Sequence, residues 1–207
     1  MLHKLSVKVC GMRYAENIKS VENLGYVDIM GFIFYNKSPR HVNQDIEYLP
    51  RNCKRAGVFV NDNLDNILKL SDKLELSHVQ LHGSESPEFC DKLSQYGINI
   101  IKAFSIGSIK DLDYSTRYEG TCDLYLFDSK TCLPGGSGKT FNWSLLNRYN
   151  GKTRFFLSGG IGVDSVEQLK KFNHSRLAGI DLNSRFETAP ALKDTGKLTT
   201  FFQSFLK

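Results

Sequence analysis

The sequence predicts an α/β protein, a single (β/α)8 barrel that spans residues 1–207. Eight short runs rich in β-branched and aromatic residues alternate along the chain with longer segments of helical periodicity. The intervals between runs are about 20 to 30 residues, the length of one strand–helix unit. The chain has 207 residues, near the lower limit of ~200 for such a barrel.

The strands are predicted from the apolar runs, which are short enough for strands and too short for helices. In chain order the runs cover residues 5–9, 29–34, 56–60, 79–81, 98–103, 124–127, 155–157 and 179–182.

The helices are predicted from apolar residues that recur on one face and from capping residues. Asn63 is a suitable N-cap for a helix whose apolar face carries Leu64, Ile67 and Leu68. Ser86 and Pro87 have the order expected of an N-cap and a first helical residue. Further helices are predicted over 15–24, 164–172 and 195–205.

Two architectures fit strands that alternate with helices, because both require a parallel sheet with right-handed crossovers. An open doubly wound sheet normally carries a nucleotide-binding fingerprint after its first strand, and this chain has none there. Eight units in a single pass favour the closed barrel.

The composition is typical of a globular protein, with 41% hydrophobic and 24% charged residues. No apolar run approaches the ~20 residues that cross a bilayer. Lys4 and Lys8 interrupt the apolar N-terminal stretch, so it does not resemble a signal peptide. We therefore expect a cytoplasmic protein without a membrane partner.

The net charge of +5 is mild, and the basic residues are scattered. This pattern argues against a nucleic-acid partner and is compatible with a small anionic substrate. The five cysteines include no C-x-x-C pair, and His3, His41, His78 and His174 have no ligand at metal-site spacing. We expect no metal and no cofactor.

Cys10 is the strongest candidate for chemistry, because residues at the carboxyl ends of barrel strands face the active site. An isolated cysteine is usually a small buried apolar residue. Its position at a strand end, directly before Gly11, favours a reactive thiolate instead. The other four cysteines lack this context and are interpreted as structural.

Asp128 follows an apolar strand, where an unpaired buried carboxylate is costly. Taken alone it is better explained as a capping or turn residue. Together with Cys10 in one cavity it would suit proton transfer, with one group as base and the other as acid. Asp181 has the same placement, but a hydrogen bond to a loop backbone explains it equally well.

The segment Gly135–Thr140 resembles a phosphate loop but fails that pattern, since Leu133 stands where the first glycine is required. The G-x-G-x-x-G pattern fails as well, because Phe141 occupies its last position. We expect a flexible loop that covers the site.

The loops after the seventh and eighth strands are the expected phosphate site of a barrel. They contain Gly159 and Gly160, and Asn183 and Ser184. The glycines alone would also be explained by a tight turn. His82 and Arg40 are suited to bind a carboxylate or a phosphate. Arginine suits this role especially well, because its planar guanidinium group can donate two hydrogen bonds to one such anion.

These segments, taken in order, resemble the phosphoribosylanthranilate isomerases, (β/α)8 enzymes of tryptophan biosynthesis. The resemblance extends from residue 7 to about residue 194. It rests on KVCGM at 8–12, GFIF at 31–34, SPR at 38–40, GVFV at 57–60, VQLHG at 79–83, FDS at 127–129, GGSGKTFNW at 135–143, LSGGI at 157–161 and GID at 179–181. Each string is weak alone, and the ordered set is specific.

The resemblance implies a role for each matching residue. Cys10 matches the general base and Asp128 the general acid of the family. Arg40 matches a substrate-binding arginine beside the anthranilate and ribose, and Asp181 an aspartate near the anthranilate. Gly159 and Gly160, with the loop after the eighth strand, match the phosphate site.

One departure stands in the loop after the eighth strand. The family usually has Asp-Val-Ser-Ser-Gly-Val-Glu, and this chain has arginine at the glycine, Arg185. We expect Arg185 to supply a charged contact in exchange.

The resemblance implies an Amadori rearrangement of a phosphorylated aminoaldose, by a chain that we expect to be a monomer. Two alternatives remain at this point. One is a barrel isomerase of the histidine-biosynthesis type, which resembles the fold but uses paired aspartates. The other is a barrel that binds a phosphorylated ligand without catalysis.

Overall fold

The computed structural model describes residues 5–43, 45–129 and 143–206. Eight parallel strands form a closed barrel in chain order, and the eighth strand pairs with the first. The predicted fold class is confirmed. The barrel strands are β1 Ser6–Cys10, β2 Ile29–Ile33, β3 Lys54–Phe59, β4 His78–Leu81, β5 Asn99–Ile106, β6 Leu124–Ser129, β7 Arg154–Leu157 and β8 Leu177–Leu182.

Six α-helices lie within the described residues, and five of them match predicted helices. They are α1 Ala15–Glu22, α2 Leu64–Lys73, α3 Pro87–Ser94, α4 Ile109–Ser115, α5 Val166–Lys171 and α6 Thr195–Phe205. Both predicted caps are confirmed. The Asn63 side chain accepts a hydrogen bond from the Asn66 N–H at 2.9 Å, and the Ser86 side chain accepts one from the Phe89 N–H at 3.3 Å.

Three of the differences from the predicted elements concern a helix, a helix start and a hairpin. Helix α4 follows β5, where no helix was predicted. Its N-terminus is capped by Asp111, whose carboxylate accepts a hydrogen bond from the Ser108 N–H at 2.8 Å. The helix predicted over 164–172 begins as a 3₁₀ turn, Val163–Ser165. An antiparallel hairpin of β9 Glu187–Ala189 and β10 Leu192–Lys193 follows β8.

Side chains of the barrel strands alternate between the interior and the surrounding helices. On β1, Val7 and Val9 pack into the apolar layer beneath the helices. Lys8 and Cys10 therefore point into the barrel. The lower interior, away from the carboxyl ends of the strands, is a separate apolar cluster. Its members are Ile29, Ala56, Ile101, Ala103, Leu126 and Phe156.

The upper interior is polar and forms the floor of the site. Its buried polar side chains include Gln80 and Asp181, near the carboxyl ends of β4 and β8, and Ser158, directly after β7. In the part of the chain that the structure describes, no helix is long and apolar enough to cross a bilayer.

Gly31 leaves the space that the Cys10 side chain occupies. The two residues are register partners on β1 and β2. A Cβ on Gly31 would lie 2.8 Å from Cys10 Sγ and 3.1 Å from Cys10 Cα. Both distances are too short for ordinary contacts, so glycine is required at this position.

We predict that Gly31→Ala lowers the free energy of unfolding by about 1–3 kcal/mol, because the added methyl group overpacks the interior beside Cys10. Urea denaturation measures the change. Gly196→Ala is the control, because its Cβ would meet only Asp194 Oδ1, at 3.2 Å, and alanine suits a helix. Equal stability of the two variants would contradict this account of the packing.

Candidate active site

A cavity of about 150 Å³ opens at the carboxyl ends of the barrel strands. It is lined by every predicted site residue except Arg40. Those lining residues are Cys10, His82, Asp128, Gly159, Gly160, Asp181, Asn183, Ser184 and Arg185, together with Ile33, Val58, Gln80, Ser158 and Ile161. The strand-end rule thus brings together residues that are far apart in the sequence.

Cys10 is buried at the end of β1, and its thiol faces the cavity. Burial raises the pKa of Cys10 above the ordinary thiol value, because the low-polarity surroundings disfavour the thiolate. The nearby ammonium groups of Lys8 and Lys193 act in the opposite direction. Desolvation therefore raises the pKa of Cys10, and the two ammonium groups reduce the size of that rise.

Asp181 is held by two neighbours beneath the cavity. Lys8 and Asp181 are register partners on β1 and β8, and Lys8 Nζ lies 2.7 Å from Asp181 Oδ1. The Ser158 hydroxyl donates to Asp181 Oδ2 at 3.3 Å. Burial alone would lower the pKa of Lys8, but the Asp181 carboxylate outweighs it and the pKa is raised. Lys8 therefore stays charged inside the barrel.

His82 lies between Gln80 and Asp128. Its Nε2 is 3.9 Å from Asp128 Oδ2, and its Nδ1 is 3.1 Å from Gln80 Nε2. Burial lowers the pKa of His82, and the positive charge of Lys8 lowers it further. His82 is therefore neutral at neutral pH. With the amide in this orientation, Nδ1 accepts from Gln80 and Nε2 carries the proton that faces Asp128.

The loop that carries His82 is fixed by a buried ion pair that the sequence analysis did not identify. Lys102 Nζ lies 3.1 Å from Glu85 Oε2, and both side chains are buried. The Glu85 carboxylate also accepts from the N–H groups of Gly83 and Asn61, at 2.9 and 2.7 Å. Lys102 further donates to the Gly83 carbonyl at 2.8 Å.

The two loops proposed for phosphate lie side by side. Gly159 and Gly160 have φ of 86° and 73°, in the left-handed region that favours glycine. Arg185 joins the loops, since Nη1 donates to the Gly160 carbonyl at 3.1 Å and Nη2 lies 2.9 Å from Asp164 Oδ2. A Cβ on Gly162 would lie 2.8 Å from Arg185 Nε, so this glycine leaves room for the guanidinium.

Arg40 lies beside the cavity and is bound to Glu187. Its Nε and Nη2 donate to the Glu187 carboxylate at 2.7–3.0 Å. Lys193 Nζ lies 2.6 Å from the same carboxylate and donates to Asn183 at 2.8 Å. Burial alone would raise the pKa of Glu187, but the hydrogen bonds from Arg40 and Lys193 hold it below the ordinary value.

Gly11 allows this group to approach β1. A Cβ at Gly11 would lie 2.8 Å from Arg40 Cδ and 3.0 Å from Asn183 Oδ1. The backbone φ of 76° also favours glycine. The Cys10–Gly11 pair of the sequence therefore combines a thiol with the space for the side chains of Arg40 and Asn183.

The remaining cysteines differ in their surroundings. Burial raises the pKa of Cys53 to about 12. Cys90 and Cys122 lie together, and their mutual hydrogen bond raises the pKa of Cys90 and lowers that of Cys122. None of these three lines the cavity. Cys132 and the predicted covering loop at 135–140 lie outside the described residues.

The chain is similar to known proteins over nearly its whole length. A family model described as N-(5'phosphoribosyl)anthranilate (PRA) isomerase matches residues 7–204. Two proteins named N-(5'-phosphoribosyl)anthranilate isomerase are similar. The one from Phocaeicola vulgatus is 53% identical over 94% of this chain and 95% of its own length. The one from Parabacteroides distasonis is 44% identical over 97% of this chain and 93% of its own.

Solved structures give the same result. The phosphoribosyl anthranilate isomerase from Thermotoga maritima has a TM-score of 0.86 and 33% identity, with 98% of both chains covered. Another structure, of the enzyme in complex with reduced 1-(o-carboxyphenylamino)-1-deoxyribulose 5-phosphate, has a TM-score of 0.83 and 28% identity, again over 98% of both chains.

We predict that Cys10 ionises above the ordinary thiol range, because burial disfavours its thiolate. The thiolate absorbance at 240 nm, titrated with pH as the difference between the wild type and Cys10→Ser, isolates this group from the other cysteines. A midpoint below the ordinary value of about 8.5 would contradict the prediction.

Proposed function

The chain belongs to the N-(5'-phosphoribosyl)anthranilate isomerase family and has that isomerase activity, and we propose that Cys10 and Asp128 carry out its two proton transfers. The reaction, a step of tryptophan biosynthesis, is an Amadori rearrangement of an aminoaldose to an aminoketose. The observation that carries the proposal is the cavity at the barrel mouth, where a thiol from β1 and a carboxyl group from β6 line the same space.

The first step opens the ribose ring. Asp128, in its protonated form, donates a proton to the ring oxygen as the C1–O bond breaks and the nitrogen lone pair forms a Schiff base. The carboxyl group of Asp128 becomes a carboxylate. The neutral His82, 3.9 Å from this carboxylate, directs its Nε2 proton toward the charge that forms.

The second step moves the proton from C2. The Cys10 thiolate takes it, and the C2–H electron pair forms the C1=C2 double bond of an enolamine while the Schiff-base nitrogen becomes neutral. The enolamine then takes a proton at C1 and loses the proton of its C2 hydroxyl, which gives the ketone. The Cys10 thiol then loses the proton that it took and the Asp128 carboxylate regains one, which restores both groups for the next turnover.

The phosphate group is assigned to the loops after β7 and β8. Gly159, Gly160, Asn183 and Ser184 line the cavity on this side. Their backbone N–H groups are the donors that suit a phosphate. Arg185 supports the site by fixing the Gly160 carbonyl and by adding a positive charge, part of which is balanced by Asp164.

The carboxylate of the anthranilate group is assigned to the side of the cavity where Arg40 lies. Arg40 binds Glu187 through Nε and Nη2, and its Nη1 makes no hydrogen bond to the described residues. Nη1 is therefore the donor available to a substrate carboxylate. Asp181 is assigned to the anthranilate group, because it lines the cavity and its carboxylate is held in place by Lys8 and Ser158.

The alternative of a histidine-biosynthesis type of isomerase requires an aspartate at the end of β1, and Cys10 stands there. The alternative of a barrel that only binds a phosphorylated ligand requires no base and no acid. Turnover separates these possibilities, since the loss of anthranilate-type fluorescence reports the rearrangement.

The chain is proposed to act as a monomer in the cytoplasm. Each residue proposed for the proton transfers and for the phosphate site lies at the mouth of one barrel, so the proposed mechanism calls for no residue from a second copy. A phosphorylated substrate does not diffuse through membranes, so we expect the enzyme in the compartment where its substrate is made. Light scattering coupled to size exclusion measures the mass of the particle.

We predict that Cys10→Ser and Asp128→Asn each lower kcat by at least ~10²-fold while a product analogue still binds, because each variant lacks one proton-transfer group. The fluorescence assay measures the rate. Cys53→Ser, Cys90→Ser, Cys122→Ser and Cys132→Ser are the matched controls and should stay active. Near-wild-type turnover by Cys10→Ser would remove the thiolate from the mechanism, and Asp181 would become the candidate base.

We predict that Arg185→Ala raises KM for the phosphorylated substrate much more than it lowers kcat, because the phosphate loop loses its anchor at Gly160. Steady-state kinetics measures both constants. Lys171→Ala is the matched control, since it removes the same charge from an exposed position in the last turn of α5. An unchanged KM in Arg185→Ala would show that Arg185 does not support the phosphate site.

A further inference from the structure

Lys8 is a buried cation whose presence in the barrel is not explained by stability. Its side chain is fully buried, and it does not line the cavity. Its register partner on β2 is Ile29, a member of the apolar cluster. Burying an ion pair costs desolvation free energy, and apolar residues of similar volume often replace such a pair without loss. An apolar side chain would therefore satisfy the packing at this position.

The position of Lys8 relates it directly to the proposed base. Residues 8 and 10 are two apart on β1, so both side chains point into the barrel, one above the other. The Lys8 ammonium donates to Asp181 Oδ1 at 2.7 Å, and it is close enough to Cys10 for its charge to lower the pKa of the thiol. The ammonium group thus lies between a carboxylate on β8 and the thiol of its own strand.

The charges that surround Cys10 form two groups. Lys8 and Asp181 form a neutral pair below it. At its side, Lys193 and Arg40 share the single carboxylate of Glu187. The titratable and charged side chains in this region are Lys8, Arg40, His82, Asp128, Asp181, Glu187 and Lys193.

We propose that Lys8 is a positioning residue for the isomerisation, whose buried ammonium stabilises the Cys10 thiolate from beneath the cavity floor while Asp181 holds it there. The proposal rests on the proposed role of Cys10 as the base. Without Lys8, the group below Cys10 changes from a neutral ion pair to a lone carboxylate. The thiolate then loses an attractive charge and faces a repulsive one.

The experiment compares three variants by titration of the Cys10 thiolate at 240 nm, each against the same variant with Cys10→Ser. In Lys8→Met the midpoint is expected to rise by about one pH unit or more, as for other groups that lose a close opposite charge. In Asp181→Asn it is expected to fall. The two substitutions break the same ion pair, so a packing effect alone does not produce shifts of opposite sign.

The double variant Lys8→Met/Asp181→Asn keeps the test valid if the single lysine variant does not fold, because it leaves no lone buried charge. Its Cys10 midpoint is expected to lie above that of Asp181→Asn. Equal midpoints in these two proteins would overturn the proposal. Lys152→Met, an exposed lysine outside the site, is the control and should titrate as the wild type.

The pH profile of Lys8→Met gives an independent readout. Its kcat/KM should rise along a limb displaced to higher pH and approach the wild-type value once the thiol is ionised. A rate that stays low at every pH, without displacement of the limb, would overturn the positioning role. If Cys10→Ser retains turnover, the assignment of the base fails, whereas the thiolate titration still decides whether Lys8 acts on Cys10.

Discussion

The interior of a closed barrel of eight parallel strands is filled by the side chains that point inward, which are every second residue along each strand. This constraint determines the rest of the molecule. The lower inward positions are apolar and form one cluster, whereas the upper ones carry Cys10, His82, Asp128 and Asp181. Because the strands are parallel, their carboxyl ends meet at one mouth, and the polar positions converge there.

Pairing reduces the cost of burying charged side chains in the polar half of the interior. Lys8 is matched with Asp181, and Lys102 with Glu85. Arg40 and Lys193 share Glu187. Each of these carboxylates accepts additional hydrogen bonds or a second cation, so the cost of desolvation is offset within the group. The two groups proposed for proton transfer are thus surrounded by side chains whose positions are fixed before a substrate arrives.

The barrel and most of the cavity were predictable from the sequence because they depend on local patterns. The apolar runs mark the strands, and the residue after each run is placed at the mouth. The signals for α4 and for Lys8 were also present, as the capping pattern from Ser108 to Asp111 and as the two-residue spacing from Lys8 to Cys10. The pairing of Arg40 with Glu187 was not predictable, because it depends on how two long side chains meet across 147 positions of sequence.

The distance between Lys8 and Asp181 along the chain has a consequence for the way the molecule folds. The two residues are 173 positions apart, and the strand that carries the lysine is made first. During synthesis β1 has no partner on one edge until the eighth strand has left the ribosome, and its ammonium has no counter-ion. Contacts of such long range are slow to form, so closure comes late and the growing chain presents an open edge in the meantime. The ion pair beneath the site therefore also marks the closure of the barrel.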